Sequence, residues 1–127
     1  MELKGKSILI TGGTGSLGKA ITKYLVNNHD DIKRLVIFSR DEQKQYEMEL
    51  EFSEKEYPFM RYFIGDVRDL DRLKRAFQGI DYVIHAAAMK HVHIAEYNPT
   101  ECISTNVKGA ENVIQAALDT QVSRVVA

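Results

Sequence analysis

The chain has 127 residues, which suits one domain spanning residues 1–127. Seventeen basic residues oppose eighteen acidic ones, so the net charge of −1 excludes the global positive field that nucleic-acid or anionic-membrane binding draws on. The single cysteine excludes an internal disulfide framework, and the absence of an apolar run of about 18 residues or of a leader-like N-terminus predicts a soluble, cytoplasmic protein.

Short apolar runs alternate with longer helical patterns along the chain. After the first apolar run, Leu17, Ile21 and Leu25 recur at four-residue steps, which predicts one face of a helix. The next helical pattern covers residues 41–55, is strongly charged and is therefore expected to be largely solvated, with Pro58 ending it.

Two further helices are predicted. Residues 69–78 begin with Asp69 as an expected N-cap and stop at Gly79. The last helix opens at Pro99, because proline suits the first helical turn. Its predicted apolar face comprises Ile103, Val107, Ala110, Ile114, Ala117 and Leu118.

The apolar runs themselves predict strands at residues 7–11, 34–39, 61–65, 81–85 and 124–127. Strands that alternate with helices predict an α/β fold, with a doubly wound parallel sheet covered on both faces. The expected strand order is 3-2-1-4-5, with a ligand crevice between strands 1 and 4.

The first strand runs into a glycine-rich loop. Gly12, Gly15 and Gly18 have the spacing G-x-x-G-x-x-G between a strand and an amphipathic helix. Gly12 would allow a tight turn, Gly15 would let the backbone approach a pyrophosphate, and Gly18 would let the helix pack closely on the sheet. The pattern indicates a dinucleotide site at the helix N-terminus, and a glycine-rich turn without a ligand is the alternative.

The end of strand 2 distinguishes NADP from NAD. Ser39 and Arg40 follow this strand where NAD enzymes usually carry an acidic residue. The Arg40 guanidinium can pair with a 2′-phosphate, and Lys44 adds a second cation one helical turn later. NADP is therefore the predicted cofactor; in the alternative interpretation Arg40 is a surface cation and Asp41 caps the next helix.

Strands 3 and 4 end in further candidate contacts. The Asp66 carboxylate can accept from the adenine amine, while the Val67 N–H donates to a ring nitrogen, although Asp66 could also be a simple turn residue. Ala86 and Ala87 have small side chains that would let the backbone lie against the cofactor, or that could serve core packing alone.

Five segments together carry a family resemblance. The segments are TGGTGSLG, SRDEQK, GDVRD, HAAAMKHV and NPTECISTNVKGAENV. They resemble the extended short-chain dehydrogenase/reductases and, within these, the UDP-N-acetylglucosamine 4,6-dehydratases of the configuration-inverting type. The resemblance covers essentially the whole chain. It implies that bound NADP⁺ serves a removal of hydride from C4 of a UDP-sugar, an elimination of water across C5–C6 and a return of hydride to C6.

The resemblance also implies roles for individual residues. Ala86, Ala87 and Lys90 match the nicotinamide side of the cofactor site, and Met89, Lys90 and His91 lie near the substrate. Lys90 and Asn106 are the supporting catalytic candidates in this chain. The residues that match the remaining cofactor contacts are Gly12, Thr14, Gly15, Ser16, Leu17, Gly18, Ser39, Arg40, Lys44, Asp66 and Val67.

Two segments of the family have no counterpart in these 127 residues, the Ser-Thr-Asp-Lys segment and the Tyr-x-x-x-Lys helix. The chain is therefore expected to be the N-terminal part of such an enzyme and inactive alone, with UDP-N-acetylglucosamine or a related UDP-sugar as substrate and a homo-oligomer as assembly. A non-catalytic NADP-binding module and a UDP-sugar epimerase or reductase remain alternatives. No metal is expected at His91 and His93, and Cys102 is interpreted as a buried or idle thiol.

Overall fold

All strands of the sheet are parallel to their neighbours, in the order β3-β2-β1-β4-β5. The computed structural model describes residues 2–86 and 99–126, with the side chains of all of these except residues 99–107. The elements are β1 Ser7–Thr11, α1 Ser16–Asn28, β2 Arg34–Ser39, α2 Glu42–Glu51, β3 Met60–Ile64, α3 Leu70–Ala76, β4 Tyr82–His85, α4 Pro99–Asp119 and β5 Arg124–Val126. The predicted fold class and strand order are confirmed.

Helices cover the two faces of the sheet, because successive residues of a strand point to opposite sides. On one face, Ile8 and Ile10 of β1 pack in a cluster with Leu25 of α1 and Met48 of α2. On the other face, Leu9 lies in a second cluster with residues of α3 and α4, among them Leu73, Val113 and Ala116. The central strands are therefore buried on both sides, which explains their nearly continuous apolar runs.

Several element ends agree with sequence signals. Asp69 caps α3, its side chain accepting a hydrogen bond from the Arg72 N–H at 3.1 Å. The helix ends at Ala76, two residues earlier than predicted, and Gly79 follows with φ +75°. α4 begins at Pro99 as predicted.

The predicted extent of α2 was wrong at its C-terminal end. The helix ends at Glu51 rather than continuing to residue 55. Phe52 is buried, and the Tyr57 N–H donates to the Ser53 carbonyl oxygen at 2.8 Å in the turn that follows. The chain has to reverse before Pro58 because Met60 must enter β3 beside Leu35 of β2, a long-range pairing that the helical pattern does not contain.

Two predictions of burial were also wrong. Ile114 and Leu118 of α4 are 55% and 70% exposed. Ala117 is buried as predicted, but the residues buried with it are Val113 and Ala116, which the prediction did not include. Small residues allow close approach to α3 and the sheet, so the buried face is rotated away from the bulkier apolar side chains. The residues of β5, Arg124–Val126, are all exposed, so this strand is not covered on both faces by the described residues. Among the helices in the described residues, none is long and apolar enough to cross a membrane.

Candidate functional site

The loop between β1 and α1 makes a tight turn at the carboxyl edge of the sheet. Gly12 has φ +63°, in the left-handed region that favours glycine. The Gly15 N–H donates to the Gly12 carbonyl oxygen at 3.0 Å, and the Gly13 N–H donates to the Phe38 carbonyl oxygen of β2 at 3.3 Å. The turn expected from the glycine spacing is present, and it is tied to the end of the neighbouring strand.

The first turn of α1 is open to an anion. Its N-cap is Gly15, which makes no side-chain hydrogen bond, and the first turn contains no acidic residue. Ser16 and Leu17 are exposed. The first N–H groups of a helix have no intrahelical acceptor, and the helix dipole favours negative charge beside them. This end of α1 can therefore hold a phosphate group.

Two glycines let α1 and the loop pack without a gap. A Cβ at Gly18 would lie 2.5 Å from the Gly13 Cα, so α1 rests directly on the backbone of the loop. A Cβ at Gly13 would lie 2.7 Å from Cγ2 of Ile37 in β2. The close packing at Gly18 was predicted, although its partner is the loop rather than the sheet. The need for glycine at position 13 was missed, because this residue falls outside the three-glycine spacing.

Thr14 and Ser39 join the loop to β2. Their hydroxyl oxygens lie 3.1 Å apart, and each residue is 6% exposed. The Ser39 hydroxyl also accepts a hydrogen bond from the Asp41 N–H at 3.2 Å. Both residues were predicted to contact the cofactor; the structure gives their hydroxyls an internal partner, and a role toward a cofactor stays a prediction.

Two exposed cationic side chains follow β2. The Arg40 side chain is 64% exposed, and Lys44 is exposed in the first turn of α2. The Asp41 carboxylate accepts from the Lys44 N–H at 3.0 Å and thereby caps α2, as the alternative interpretation of this segment expected. Asp41 therefore engages the backbone of Lys44 and not its ammonium group, and a contact of the exposed Arg40 and Lys44 side chains with a 2′-phosphate stays a prediction.

Asp66 follows β3 and holds two arginines. Its carboxylate accepts hydrogen bonds from Arg68 Nε at 3.1 Å and from Arg68 Nη2 at 2.8 Å. Arg40 Nη1 lies 3.8 Å from the Oδ2 atom of the same carboxylate. The hydrogen bonds from Arg68 hold the pKa of Asp66 below its usual value, and the charge of Arg40 adds to this effect. Asp66 is therefore an ionised acceptor at the place predicted for the adenine.

Val67 is fixed by α4. Its carbonyl oxygen accepts a hydrogen bond from Nδ2 of Asn112 at 3.0 Å, and a Cβ at Gly109 would lie 2.9 Å from the Val67 Cγ2. Asn112 is 4% exposed. The predicted contact of the Val67 N–H with adenine is not tested by this geometry, but its backbone is held in place by a buried amide.

The carboxyl ends of β1 and β4, between which the ligand crevice was predicted, carry a polar pair. Thr11 Oγ1 lies 2.7 Å from His85 Nδ1 and accepts a hydrogen bond from the Ala86 N–H at 3.1 Å. Thr11 is fully buried, and burial lowers the pKa of the half-buried His85. Ala86 thus follows β4 directly beside the glycine loop, where the nicotinamide side of the site was predicted.

Part of the predicted site cannot be placed. Ala87, Met89, Lys90 and His91 lie outside the described residues. Asn106 lies in α4, and its side chain is outside the described part of the structure.

One site-forming residue had no sequence signal. Gln45 of α2 is 4% exposed, and its Nε2 donates to the carbonyl oxygens of Ser39 at 3.2 Å and Phe63 at 3.1 Å. It fixes the ends of β2 and β3, which carry Arg40 and Asp66. In the sequence it stands among charged residues of a helix expected to be solvated, so its burial could not be seen.

Known proteins are similar to this chain in sequence. The chain is 58% identical over 122 residues to the inverting UDP-N-acetylglucosamine 4,6-dehydratase of Campylobacter jejuni, covering 96% of this chain and 35% of the relative. It is 46% identical over 123 residues to a UDP-glucose 4-epimerase of Rickettsia akari, covering 95% and 35%. The chain thus spans about a third of the length of these curated relatives.

A solved structure supports the same fold. The dTDP-glucose 4,6-dehydratase of Streptomyces venezuelae with NAD and TYD bound superposes with a TM-score of 0.77 at 26% identity, covering 94% of this chain and 38% of that one. The architecture is therefore a Rossmann fold of the dinucleotide-binding type. Residues 8–127 match the family of polysaccharide biosynthesis proteins, and the chain belongs to this family.

Proposed function

We propose that this chain is the NADP-binding portion of a UDP-N-acetylglucosamine 4,6-dehydratase of the inverting type, acting in the biosynthesis of surface polysaccharides. The observation that carries the proposal is the open first turn of α1 beside the exposed cations that follow β2. The 58% identity to the Campylobacter jejuni dehydratase supports the assignment to this activity.

The described residues fit a dinucleotide. The pyrophosphate is assigned to the first-turn N–H groups of α1, at Ser16, Leu17 and Gly18; the lack of a side-chain cap on this helix supports the assignment. Glycine at positions 13 and 18 keeps the loop thin, because a Cβ at either position would meet its neighbours. Because the loop packs closely against α1 and β2, a ligand can approach the loop backbone from the side that faces solvent.

The remaining contacts follow the ends of the strands. Arg40 and Lys44 would hold the 2′-phosphate, and Asp66 and Val67 would hold the adenine, because these residues follow β2 and β3 at the same edge of the sheet. Ala86, Ala87 and Lys90 are proposed for the nicotinamide side.

In the proposed reaction, C4 of the sugar loses hydride and its hydroxyl loses a proton, which gives a ketone, and water is then lost across C5–C6. Hydride returns to C6 and a proton adds to C5 from the face that inverts this carbon; bound NADP⁺ would supply the acceptor that takes up the hydride and gives it back. Met89, Lys90 and His91 are the proposed substrate contacts, and Lys90 and Asn106 the proposed supporting catalytic residues.

The direct test is incubation of the full-length protein with UDP-N-acetylglucosamine and detection of a 4-keto-6-deoxy product. Absence of that product with NADP⁺ present would overturn the assignment.

Calorimetric titration with NADP⁺ and NAD⁺ tests the cofactor. We expect NADP⁺ to bind more tightly by about tenfold or more, because charge-assisted hydrogen bonds to a phosphate are worth about 1.5–3 kcal/mol. Arg40→Ala should narrow this gap, whereas Arg75→Ala, an exposed change in the last turn of α3, should leave it intact. Equal affinities in the unaltered protein would rule out the role of Arg40.

A UDP-sugar 4-epimerase is the second candidate, favoured by the 46% identity to the Rickettsia akari enzyme. The two activities differ in their products: an epimerase returns a UDP-sugar of unchanged mass, whereas the dehydratase product is lighter by one water. Mass spectrometry of the product therefore separates them.

We also propose a cytoplasmic location and assembly into a homo-oligomer. The exposed apolar side chains Ile114 and Leu118 on α4 support association through this helix.

A further inference from the structure

Asp66 lies between two arginines of unequal reach. Arg68 is bound in bidentate fashion, with Nε 3.1 Å from Oδ1 and Nη2 2.8 Å from Oδ2. Arg40 Nη1 approaches Oδ2 only to 3.8 Å, which is an ion pair without a hydrogen bond. One carboxylate is therefore held tightly by Arg68 and loosely by Arg40.

The acceptor positions of Asp66 explain this inequality. Each carboxylate oxygen has two lone pairs. Oδ1 uses both, on the backbone N–H of Arg68 at 2.9 Å and on Arg68 Nε. Oδ2 receives Arg68 Nη2, and Nε is also within 3.2 Å of it. At most one good acceptor position of Asp66 remains for any other donor.

This arrangement matters because the oppositely charged Arg40 and Asp66 follow two neighbouring strands, β2 and β3, and therefore lie close together. A carboxylate without Arg68 would attract Arg40 more strongly and could take it into a close ion pair. A phosphate that binds Arg40 would then have to break that pair first. With Arg68 in place, the charge of Asp66 is already compensated, and the Arg40 guanidinium keeps its 64% exposure.

We propose that Arg68 is a positioning residue that determines cofactor specificity. By engaging Asp66 in bidentate geometry, it keeps Arg40 available to a 2′-phosphate and holds the carboxylate in a single orientation toward the adenine. The inference rests on the proposed NADP-binding function and adds to it a residue that does not itself need to touch the phosphate.

The test compares two ligands that differ by one phosphate, adenosine 2′,5′-bisphosphate and 5′-AMP, titrated into the full-length protein by calorimetry. Arg68→Lys keeps the charge but loses the rigid two-donor fork. We expect the ratio of the two affinities to fall about two- to fivefold, the range of an exposed ion pair. Arg75→Lys, the same exchange at the far end of α3, is the matched control and should leave the ratio unchanged.

A second background shows whether Arg68 acts through Asp66. In Asp66→Asn there is no carboxylate for Arg68 to engage, so Arg68→Lys should no longer change the ratio. An equal fall in both backgrounds, or no fall in either, would overturn the inference while leaving the cofactor proposal intact. A wild-type protein that does not prefer the bisphosphate would overturn the cofactor proposal and this inference together.

Discussion

Individual glycines of the β1–α1 loop meet different physical demands. Gly12 is needed for its left-handed backbone, with φ +63°, whereas Gly18 is needed for its missing side chain. The glycine spacing in the sequence predicts that both positions need glycine. It does not show that one needs a left-handed backbone and the other the absence of a side chain. The neighbour that makes Gly18 necessary is the Gly13 backbone, which only the folded loop brings into contact with α1.

The substitution Gly18→Ala should therefore destabilise the protein. Alanine is favoured over glycine in a helix by about 1 kcal/mol, so an unhindered site would be stabilised. The clash with the Gly13 backbone should reverse the sign and cost about 1–3 kcal/mol of unfolding free energy in urea denaturation.

Gly109→Ala is the matched control for this experiment. It is a glycine inside α4 whose added Cβ would meet only the side chain of Val67, at 2.9 Å from Cγ2, and no backbone atom. Its cost should therefore be smaller than that of Gly18→Ala, because the helix preference for alanine of about 1 kcal/mol offsets part of a contact with one side chain. Stabilisation by Gly18→Ala would contradict the close packing.

The half-buried His85 predicts a pH dependence of the free energy of unfolding. Burial lowers its pKa from the usual 6.5, so the unfolded chain takes up a proton at a higher pH than the folded protein does. The neutral His85 side chain makes its full contribution to the free energy of unfolding above pH 6.5. This contribution is lost as the pH falls from 6.5 through the lower pKa of His85 in the folded protein. The unfolding free energy of the wild type should thus fall more steeply below pH 6.5 than that of His85→Gln. Parallel urea-denaturation profiles would contradict this.

At the scale of elements, side chains from helices fix the strand ends that form the site. The amide of Gln45 in α2 joins β2 to β3, and the amide of Asn112 in α4 holds the segment after β3. Sequence patterns placed the strands to within one residue, because each strand carries its own apolar run. They could not show which polar residues of the helices turn inward, since this depends on how each helix is rotated against the sheet.

Gln45→Leu should test whether the hydrogen bonds from the Gln45 amide to β2 and β3 stabilise the protein. Removing the amide leaves the Phe63 carbonyl oxygen without the Gln45 donor and should lower the unfolding free energy by about 1–3 kcal/mol. Gln43→Leu, an exposed change on the same helix, should stay within about 0.5 kcal/mol of the wild type. Similar urea midpoints for both variants would show that the hydrogen bonds of the Gln45 amide contribute little to the free energy of unfolding.

At the scale of the whole molecule, the carboxyl ends of β1, β2, β3 and β4 bring distant segments of the chain to one edge. The register pairs Thr11 with Phe38 and with His85, while Ser39 pairs with Ile64. On α4, by contrast, the apolar side chains of Ile114 and Leu118 are exposed to solvent and take no part in this edge. The molecule thus has a polar edge for a nucleotide and a separate apolar surface on a helix.

The apolar surface predicts self-association. Replacing Ile114 and Leu118 together by Asn should lower the molar mass measured by light scattering, because a contact between copies would lose its apolar area. Leu50→Asn on α2, which is 71% exposed, is the control and should leave the mass unchanged. An unchanged mass in the double variant would exclude this face as the contact between copies.

The sequence by itself determined the α/β class and the glycine-rich turn, because apolar periodicity and glycine spacing are local properties of the chain. The strand order followed from the connection rules for strands that alternate with helices. Tertiary structure alone decided the C-terminal end of α2, the buried face of α4, the burial of Gln45 and the contact of Asp66 with Arg40. These features depend on which segments become neighbours in space. The predicted strand order already places β2 beside β3, but the 3.8 Å contact between Arg40 and Asp66 depends on how the side chains after the two strands are turned, which no local pattern contains.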